Sequence, residues 1–277
     1  MTLAALAPVL AAARAAGHAV AAFNVIQIEH AEAYAAAAEE TGLPVVMQIS
    51  ENCVRYHGSL RPIATATLAI AESCTQPVVV HLDHAEDTDL VAEAVRLGLT
   101  SVMYDGSHLP DDANRSTTQQ VVALCHAAGI SVEAELGEVG GKDGVHAPGV
   151  RTDPADAARF VADTGVDALA VAVGSSHAMT ERTASLDTDL IARLRAAVPV
   201  PLVLHGSSGV PDDGIVAAVR AGMVKVNIAT HLNHVFTEAL TRRLQESPTV
   251  DTRKYLGAAR DAVAAEAARL QRLLAGR

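Results

Sequence analysis

Short apolar runs alternate with longer segments of helical periodicity along the whole chain. Continuous runs of this kind are typical of parallel strands buried on both faces. Eight runs predict strands at 20–23, 45–49, 78–82, 101–104, 131–134, 168–173, 202–204 and 224–226. Ala-rich segments predict helices at 28–41, 62–75, 86–97, 114–128, 154–164, 187–197, 212–221, 231–246 and 254–275, and an amphipathic helix precedes the first strand.

This alternation predicts an α/β fold with a parallel sheet. Eight strands in a chain of 277 residues favour one (β/α)₈ TIM barrel domain over residues 1–277 with an additional C-terminal helix. An open doubly wound sheet is the alternative, but it usually has a glycine-rich turn after its first strand. The residues at that position are Phe23, Asn24 and Val25.

Composition and charge exclude several classes of partner. The formal net charge is −11, and no block of Lys or Arg is present, which argues against nucleic acid and anionic membrane surfaces. Cys53, Cys74 and Cys125 are widely spaced, which favours a reducing compartment and argues against both a disulfide framework and a cysteine metal site. Arg14 interrupts the apolar N-terminal segment, so a signal peptide is not predicted, and we expect a soluble, cytoplasmic protein.

Polar residues lie at or just after the C-terminal ends of the predicted strands, where barrel active sites lie. Four histidines and four carboxylates are among them. In chain order the residues are Asn24, Ser50, His81, Asp83, His84, Asp105, Glu133, Glu135, His177, His205 and Asn227.

Three of the histidines, His84, His177 and His205, are candidate metal ligands. Each alone would be interpreted as a hydrogen-bonded residue at the barrel rim. Together, three imidazoles and an open fourth position form the ligand set of a catalytic zinc. Because the chain turns at the end of the third strand, Asp83 can face the substrate while His84 reaches the metal, and His81 is expected to be a buried packing residue.

Two carboxylates, Asp105 and Glu135, are placed beside this metal site. They could orient the ligands, hold a second cation or form structural ion pairs.

Two segments have features suited to phosphate, because each leads into the N-terminus of a predicted helix. They comprise Gly206, Ser207 and Ser208, and Asn227, Ile228, Ala229 and Thr230. The long glycine-rich connection at 137–152 is predicted to be a lid, a binding loop or a disordered segment.

Five motifs occur in order between residues 81 and 230, within a match that runs from residue 22 to residue 257. They are HLDH at 81–84, VEAELG at 132–137 with GG at 140–141, GSSH at 174–177, LHGSSG at 204–209 and KVNIAT at 225–230. Together they resemble the class II aldolases, which are zinc-dependent fructose-bisphosphate and tagatose-bisphosphate aldolases. The resemblance implies cleavage of a ketohexose 1,6-bisphosphate to dihydroxyacetone phosphate and glyceraldehyde 3-phosphate.

The resemblance also implies roles for individual residues. His84, His177 and His205 would bind the zinc, and Asp83 would transfer the proton at the C4 oxygen. Arg253 would bind the second phosphate across a subunit interface of a homodimer or homotetramer, and a Na⁺ or K⁺ ion could take part. Dihydroxyacetone phosphate would be bound by the two segments above, with the two nearby residues Asn24 and Ser50.

Three positions qualify the resemblance. In the family, a glutamate in the loop after the fifth strand is the proposed base that deprotonates the ketone donor. This chain lacks that glutamate, and Asp143 or Glu138 could replace it. Ala178 follows His177 where many relatives have glycine, and Ala229 resembles the tagatose-type pattern.

Other functions remain open at this level. A Schiff-base aldolase needs a buried lysine, and of Lys142, Lys225 and Lys254 only Lys225 lies in a strand; a pairing with a carboxylate is its simpler interpretation. The same histidines could serve an aldolase for a related sugar phosphate, a metal-dependent hydrolase or isomerase, or a barrel that only binds sugar phosphates.

Overall fold

Eight parallel strands close into one barrel in sequence order, with the last strand paired to the first. This computed structural model describes residues 2–136, 151–176 and 181–277. The closed barrel confirms the predicted (β/α)₈ fold. The strands are β1 Val20–Asn24, β2 Val45–Ser50, β3 Val78–Ala85, β4 Ser101–Tyr104, β5 Ser131–Leu136, β6 Ala168–Val171, β7 Leu202–Leu204 and β8 Met223–Ile228.

Helices surround the barrel, and two long ones end the chain. None of those in the described ranges has both the length and the apolar character needed to cross a membrane. The helices are α1 Leu6–Ala16, α2 Ile28–Thr41, α3 Glu51–His57, α4 Arg61–Ser73, α5 Thr88–Leu97, α6 Asp111–Ala127, α7 Pro154–Thr164, α8 Thr188–Ala197, α9 Asp212–Ala221, α10 Thr230–Glu246 and α11 Thr252–Leu274.

The structure moves several predicted boundaries and adds one helix. Strand β3 continues to Ala85 and β8 to Ile228, because polar side chains inside this barrel belong to the strands instead of ending them. Strand β6 ends earlier than predicted, at Val171. Helix α3 was not predicted, although Ser50 caps its N-terminus by accepting a hydrogen bond from Cys53 N.

The barrel interior is apolar at one end and polar at the other. At the N-terminal ends of the strands, α1 closes the barrel by packing Leu6 and Leu10 against inward-facing aliphatic residues. Those residues are Val20, Ala22, Val46, Val79, Ala168, Ala170, Val203 and Val224. Further along the same strands, every second residue still points inward, but the interior side chains are polar and charged. The fold therefore concentrates its buried polar groups toward the C-terminal ends of the strands.

His30 on α2 is a buried histidine whose stability effect can be tested. Its ring stacks on Phe236 at 5.0 Å, neither ring nitrogen has a hydrogen-bond partner among the described residues, and burial lowers its pKa to about 4. In the unfolded chain His30 is protonated below its ordinary pKa of 6.5, whereas in the folded protein it stays neutral down to about pH 4. Acid therefore favours unfolding in this interval, by up to about 3 kcal/mol.

When the pH is lowered from 7 to 4, we expect the urea midpoint to decrease more for the wild type than for His30→Leu. The exposed His234, replaced by Gln, serves as the control and should show the wild-type slope. Parallel curves for wild type and His30→Leu would contradict the assignment.

Candidate active site

The polar end of the barrel brings together most of the residues predicted for the site. His84 and Asp83 come from β3, Glu135 from β5, His205 follows β7, and Asn227 comes from β8. Asp83, Glu135, His205 and Asn227 are buried, and His84 is partly exposed. Some predicted residues lie outside the described part of the chain, as does nearly all of the predicted lid. These residues are Glu138, Lys142, Asp143, His177 and Ala178.

His84 has an unusual backbone conformation. Its φ is +49°, the only positive φ of a non-glycine residue in the described part of the chain. The left-handed region costs an ordinary residue roughly 1–2 kcal/mol, so the surroundings must hold it. Asp105 Oδ2 lies 2.7 Å from His84 Nδ1, and Asp105 Oδ1 accepts hydrogen bonds from Ser107 N at 3.2 Å and Ser107 Oγ at 2.6 Å. Asp105 thus orients the His84 ring.

His205 lies between two glutamates in the barrel interior. Its Nδ1 is 2.9 Å from Glu135 Oε2, and its Nε2 is 2.9 Å from Glu133 Oε1. Burial alone would lower the pKa of His205, but the hydrogen bonds to Glu133 and Glu135 outweigh it and raise the pKa to about 9. A metal ion at His205 would replace a carboxylate on one ring nitrogen and displace a proton.

Lys225 forms an ion pair with Glu133, which confirms the predicted pairing of this lysine with a carboxylate. The Nζ to Oε2 distance is 2.8 Å and both side chains are fully buried. Burial would raise the pKa of Glu133, but the charge of Lys225 and the bond from His205 hold it far below its usual value. The role of Glu133 as the partner of both groups was not predicted, since it depends on which strands face each other across the barrel.

The described residues fit a metal ion such as zinc. His84, Glu135 and His205 each offer one ligand atom, and these three atoms lie within 4.8 Å of one another. The His84 and His205 rings meet edge to face, with centroids 4.7 Å apart. Two imidazoles and a carboxylate are a ligand chemistry that suits zinc. Ser176, which precedes the predicted ligand His177, packs its backbone against Gly206, beside His205.

Asp83 is a buried carboxylate beside this cluster. Asn24 Nδ2 donates to Asp83 Oδ2 at 3.3 Å, and Gln48 Nε2 donates to Asn24 Oδ1 at 2.7 Å. Burial would raise the pKa of Asp83, but nearby positive charges outweigh this effect and lower the pKa. These charges belong to His84, Lys225, His81 and His205. An ionised carboxylate held in this way can accept a proton from a bound substrate.

Several buried polar atoms of the site have no hydrogen-bond partner among the described residues. They are Gln48 Oε1, His81 Nε2, Asp83 Oδ1 and Asn227 Oδ1. Buried polar groups are usually paired, so this set indicates a place for a polar ligand or ordered water. His81 is buried as expected, with Nδ1 2.9 Å from Ser101 Oγ, and its pKa is lowered to about 3, mainly by burial.

The two segments predicted to bind phosphate adjoin each other. Gly206 adopts a φ of +65°, and a Cβ there would lie 2.6 Å from Ser176 backbone atoms, so only glycine fits. Ser207 Oγ donates to the carbonyl of Asn227, and Ser208 Oγ accepts from Ala229 N and His231 N, each at 3.3 Å. Backbone N–H groups at the start of α10 therefore lie beside these hydroxyls, which is a favourable arrangement for an anion.

Ser50 and Arg253 have different surroundings. Ser50 pairs in register with Asp83 across β2 and β3. Arg253 lies at the start of α11 with its side chain 89% exposed and its Nε 3.0 Å from Asp251 Oδ1. The structure therefore brings Ser50 to the site and leaves Arg253 on the surface.

Comparison with known proteins is consistent with this geometry. Residues 4–276 match the family model described as fructose-bisphosphate aldolase class-II. The chain is 40% identical over 253 residues to the fructose-bisphosphate aldolase of Geobacillus stearothermophilus, covering 90% of this chain and 88% of that protein. It is 38% identical over 268 residues to a probable fructose-bisphosphate aldolase of Bacillus subtilis, covering 95% and 94%. The crystal structure of the YdjI aldolase of Escherichia coli K12 superimposes with a TM-score of 0.88 and 32% identity, covering 98% and 97%.

Proposed function

Because the chain belongs to the class II fructose-bisphosphate aldolase family, we propose that it catalyses the reversible retro-aldol cleavage of a ketohexose 1,6-bisphosphate. The products would be dihydroxyacetone phosphate and glyceraldehyde 3-phosphate. The observation that carries this proposal is the convergence of His84, Glu135 and His205 beside the buried Asp83. An aldolase needs a site that stabilises an oxyanion next to a group that accepts a proton, and this arrangement supports both.

We propose one zinc ion, held by His84, His205 and His177. Bound there, zinc would supply a Lewis acid that stabilises the negative charge developing on the ketone side of the substrate. Asp105 orients His84, and Glu135 either orients His205 or takes a coordination position, since its carboxylate belongs to the same cluster. A monovalent cation near this site remains part of the proposal.

The proton at the C4 oxygen would be moved by Asp83. In cleavage its carboxylate accepts the proton from the C4 hydroxyl, and in condensation it returns that proton. Asn24 holds one carboxylate oxygen, which leaves Asp83 Oδ1 for the substrate. Asp143 is our candidate for the base that acts on the ketone donor, with Glu138 as the alternative, and closure of loop 137–152 would exclude water.

Substrate phosphate would bind where the two phosphate-binding segments adjoin. Hydroxyls of Ser207 and Ser208 and the N-terminus of α10 support this position. Asn24, Ser50 and the segment from Asn227 to Thr230 would complete the subsite. Arg253, exposed on this chain, would bind the second phosphate in the homodimer or homotetramer that we propose.

We take residues 1–277 as one aldolase domain, because the barrel and the family match both extend over nearly the whole chain. A cytoplasmic location is supported by the three cysteines, which are all free thiols.

Lys225 provides a test against Schiff-base chemistry. Because it is buried and paired with Glu133 at 2.8 Å, we expect it to be a charged structural lysine and a poor nucleophile. Borohydride added with dihydroxyacetone phosphate should leave the mass of the protein unchanged and its activity intact after removal of the reagent. A reduced adduct at Lys225 would contradict the zinc mechanism.

Product analysis tests the proposed activity and separates it from its alternatives. The zinc-loaded protein should convert fructose or tagatose 1,6-bisphosphate to triose phosphates, and comparison of the two shows which C4 configuration it accepts. A non-phosphorylated acceptor tests the need for the second phosphate. Released inorganic phosphate, an isomerised sugar, or tight binding without turnover would support a hydrolase, an isomerase or a binding protein and overturn the proposal.

A further inference from the structure

The turn that carries the active-site pair Asp83 and His84 needs support from outside β3. His84 has a left-handed backbone and the β3–β4 register shifts between Leu82 and Ala85. One support comes from Asp105, which directly follows β4: its carboxylate bonds the His84 ring and its N–H donates to the carbonyl of Ala85 at 2.8 Å. These contacts hold the turn from the β4 side.

The opposite side of the turn is held by Glu51. Its Oε2 accepts hydrogen bonds from Glu86 N at 2.7 Å and from Asp87 N at 3.3 Å. Those two amides follow directly after the His84–Ala85 turn, so one carboxylate fixes the chain as it leaves the site. Charged acceptors form hydrogen bonds roughly twice as strong as neutral ones.

Glu51 is itself held in place. It is the first residue of α3 and is 9% exposed, and its other oxygen pairs with Arg55 at 2.5 Å. Helix α3 is tied to the loop after β1, because Cys53 Sγ donates to the carbonyl of Val25 at 3.4 Å and His57 Nε2 lies 2.7 Å from the carbonyl oxygen of Ile26. The carboxylate therefore links the β3 turn to a fixed element.

We propose that Glu51 is a positioning residue, which acts through the Glu86 and Asp87 amides to hold His84 and Asp83 in the geometry for metal binding and proton transfer. The inference rests on the proposed function. Helix α3, which was not predicted from the sequence, thus serves to hold Glu51 beside the β3 turn.

The chain contains a matched control for this contact. Glu39 on α2 binds the loop that enters β3 at the other end of the barrel, where its carboxylate accepts from Thr75 N, from Thr75 Oγ1 at 2.5 Å and from Gln76 N at 3.4 Å. Both glutamates accept backbone N–H groups beside the same strand, but only Glu51 acts at the end that carries Asp83 and His84.

The experiment compares Glu51→Ala with Glu39→Ala. Zinc affinity is measured by competition with a chromophoric chelator, the visible spectrum of the Co²⁺ form reports coordination geometry, and kcat and KM are measured with fructose bisphosphate. We expect Glu51→Ala to weaken zinc binding about tenfold or more, to alter the Co²⁺ spectrum and to lower kcat. Glu39→Ala should change none of these, although it can lower the urea midpoint.

Two further variants keep the inference testable if Glu51→Ala does not fold. Glu51→Gln retains a carbonyl oxygen that reaches Glu86 N, so its zinc affinity should stay within about threefold of the wild type. Glu51→Asp retains the charge but is one methylene shorter, so it should bind zinc less tightly than Glu51→Gln.

Zinc affinity of Glu51→Ala equal to that of Glu39→Ala would overturn the inference, as would tighter binding by Glu51→Asp than by Glu51→Gln. Either result, with a wild type that binds zinc and cleaves the substrate, leaves the proposed function intact. A wild type that does neither overturns both.

Discussion

Replacing His205 by Gln is expected to abolish stoichiometric zinc binding and to lower kcat/KM by at least about 10³-fold. The fold-change corresponds to roughly 4 kcal/mol of lost transition-state stabilisation, the scale of a Lewis-acid metal. The substitution removes the imidazole at the centre of the cluster, while the amide can still donate to Glu133 or Glu135. Zinc content after dialysis and steady-state kinetics measure the two effects separately.

A second histidine provides the control. His126 Nε2 lies 2.9 Å from Asp167 Oδ2, at the end of the barrel opposite the proposed site, and its side chain is 42% exposed. His126→Gln should keep full zinc content and wild-type kinetics. If His205→Gln also kept them, the metal site would have been assigned to the wrong residues.

The second large effect is expected for Asp83→Asn. The amide keeps the size of the side chain and can still accept the hydrogen bond from Asn24, but it cannot accept a proton. General acid–base catalysis contributes about 10²–10⁴-fold, so kcat should fall by this factor. Zinc affinity should remain close to that of the wild type, because Asp83 is not among the proposed ligands.

Asp167→Asn is the corresponding control. Asp167 lies far from the site, and its carboxylate accepts a hydrogen bond of 2.7 Å from the backbone N–H of Val132. This substitution should leave kcat unchanged. A kcat for Asp83→Asn within threefold of the wild type, at an unchanged zinc content, would exclude Asp83 as the proton-transfer group.

The period and order of apolar runs were enough to predict the fold, because eight βα units leave few arrangements that bury both faces of each strand. The ends of β3 and β8 were predicted too early. In most parallel sheets a polar run such as His81 to His84 marks the end of a strand, but here the strand continues because its polar residues face the interior of the barrel.

Candidate residues could be identified from the strand ends, but their pairings could not. That Glu133 bonds both His205 and Lys225 follows from barrel closure and strand stagger, which bring β5 opposite residues from β7 and β8. Helix α3 was missed because seven residues are too few to display helical periodicity. The cap residues Ser50 and Gly58 on either side were the available indication.

Dependence of the activity on the metal ion is the sharpest test of the proposed zinc mechanism. The purified wild type is stripped of metal by exhaustive treatment with a chelator, and cleavage of fructose and tagatose bisphosphate is then measured with and without added zinc. We predict no detectable cleavage by the metal-free protein and full recovery with about one zinc per chain at the three-histidine site. Full activity after complete metal removal would rule out the zinc mechanism.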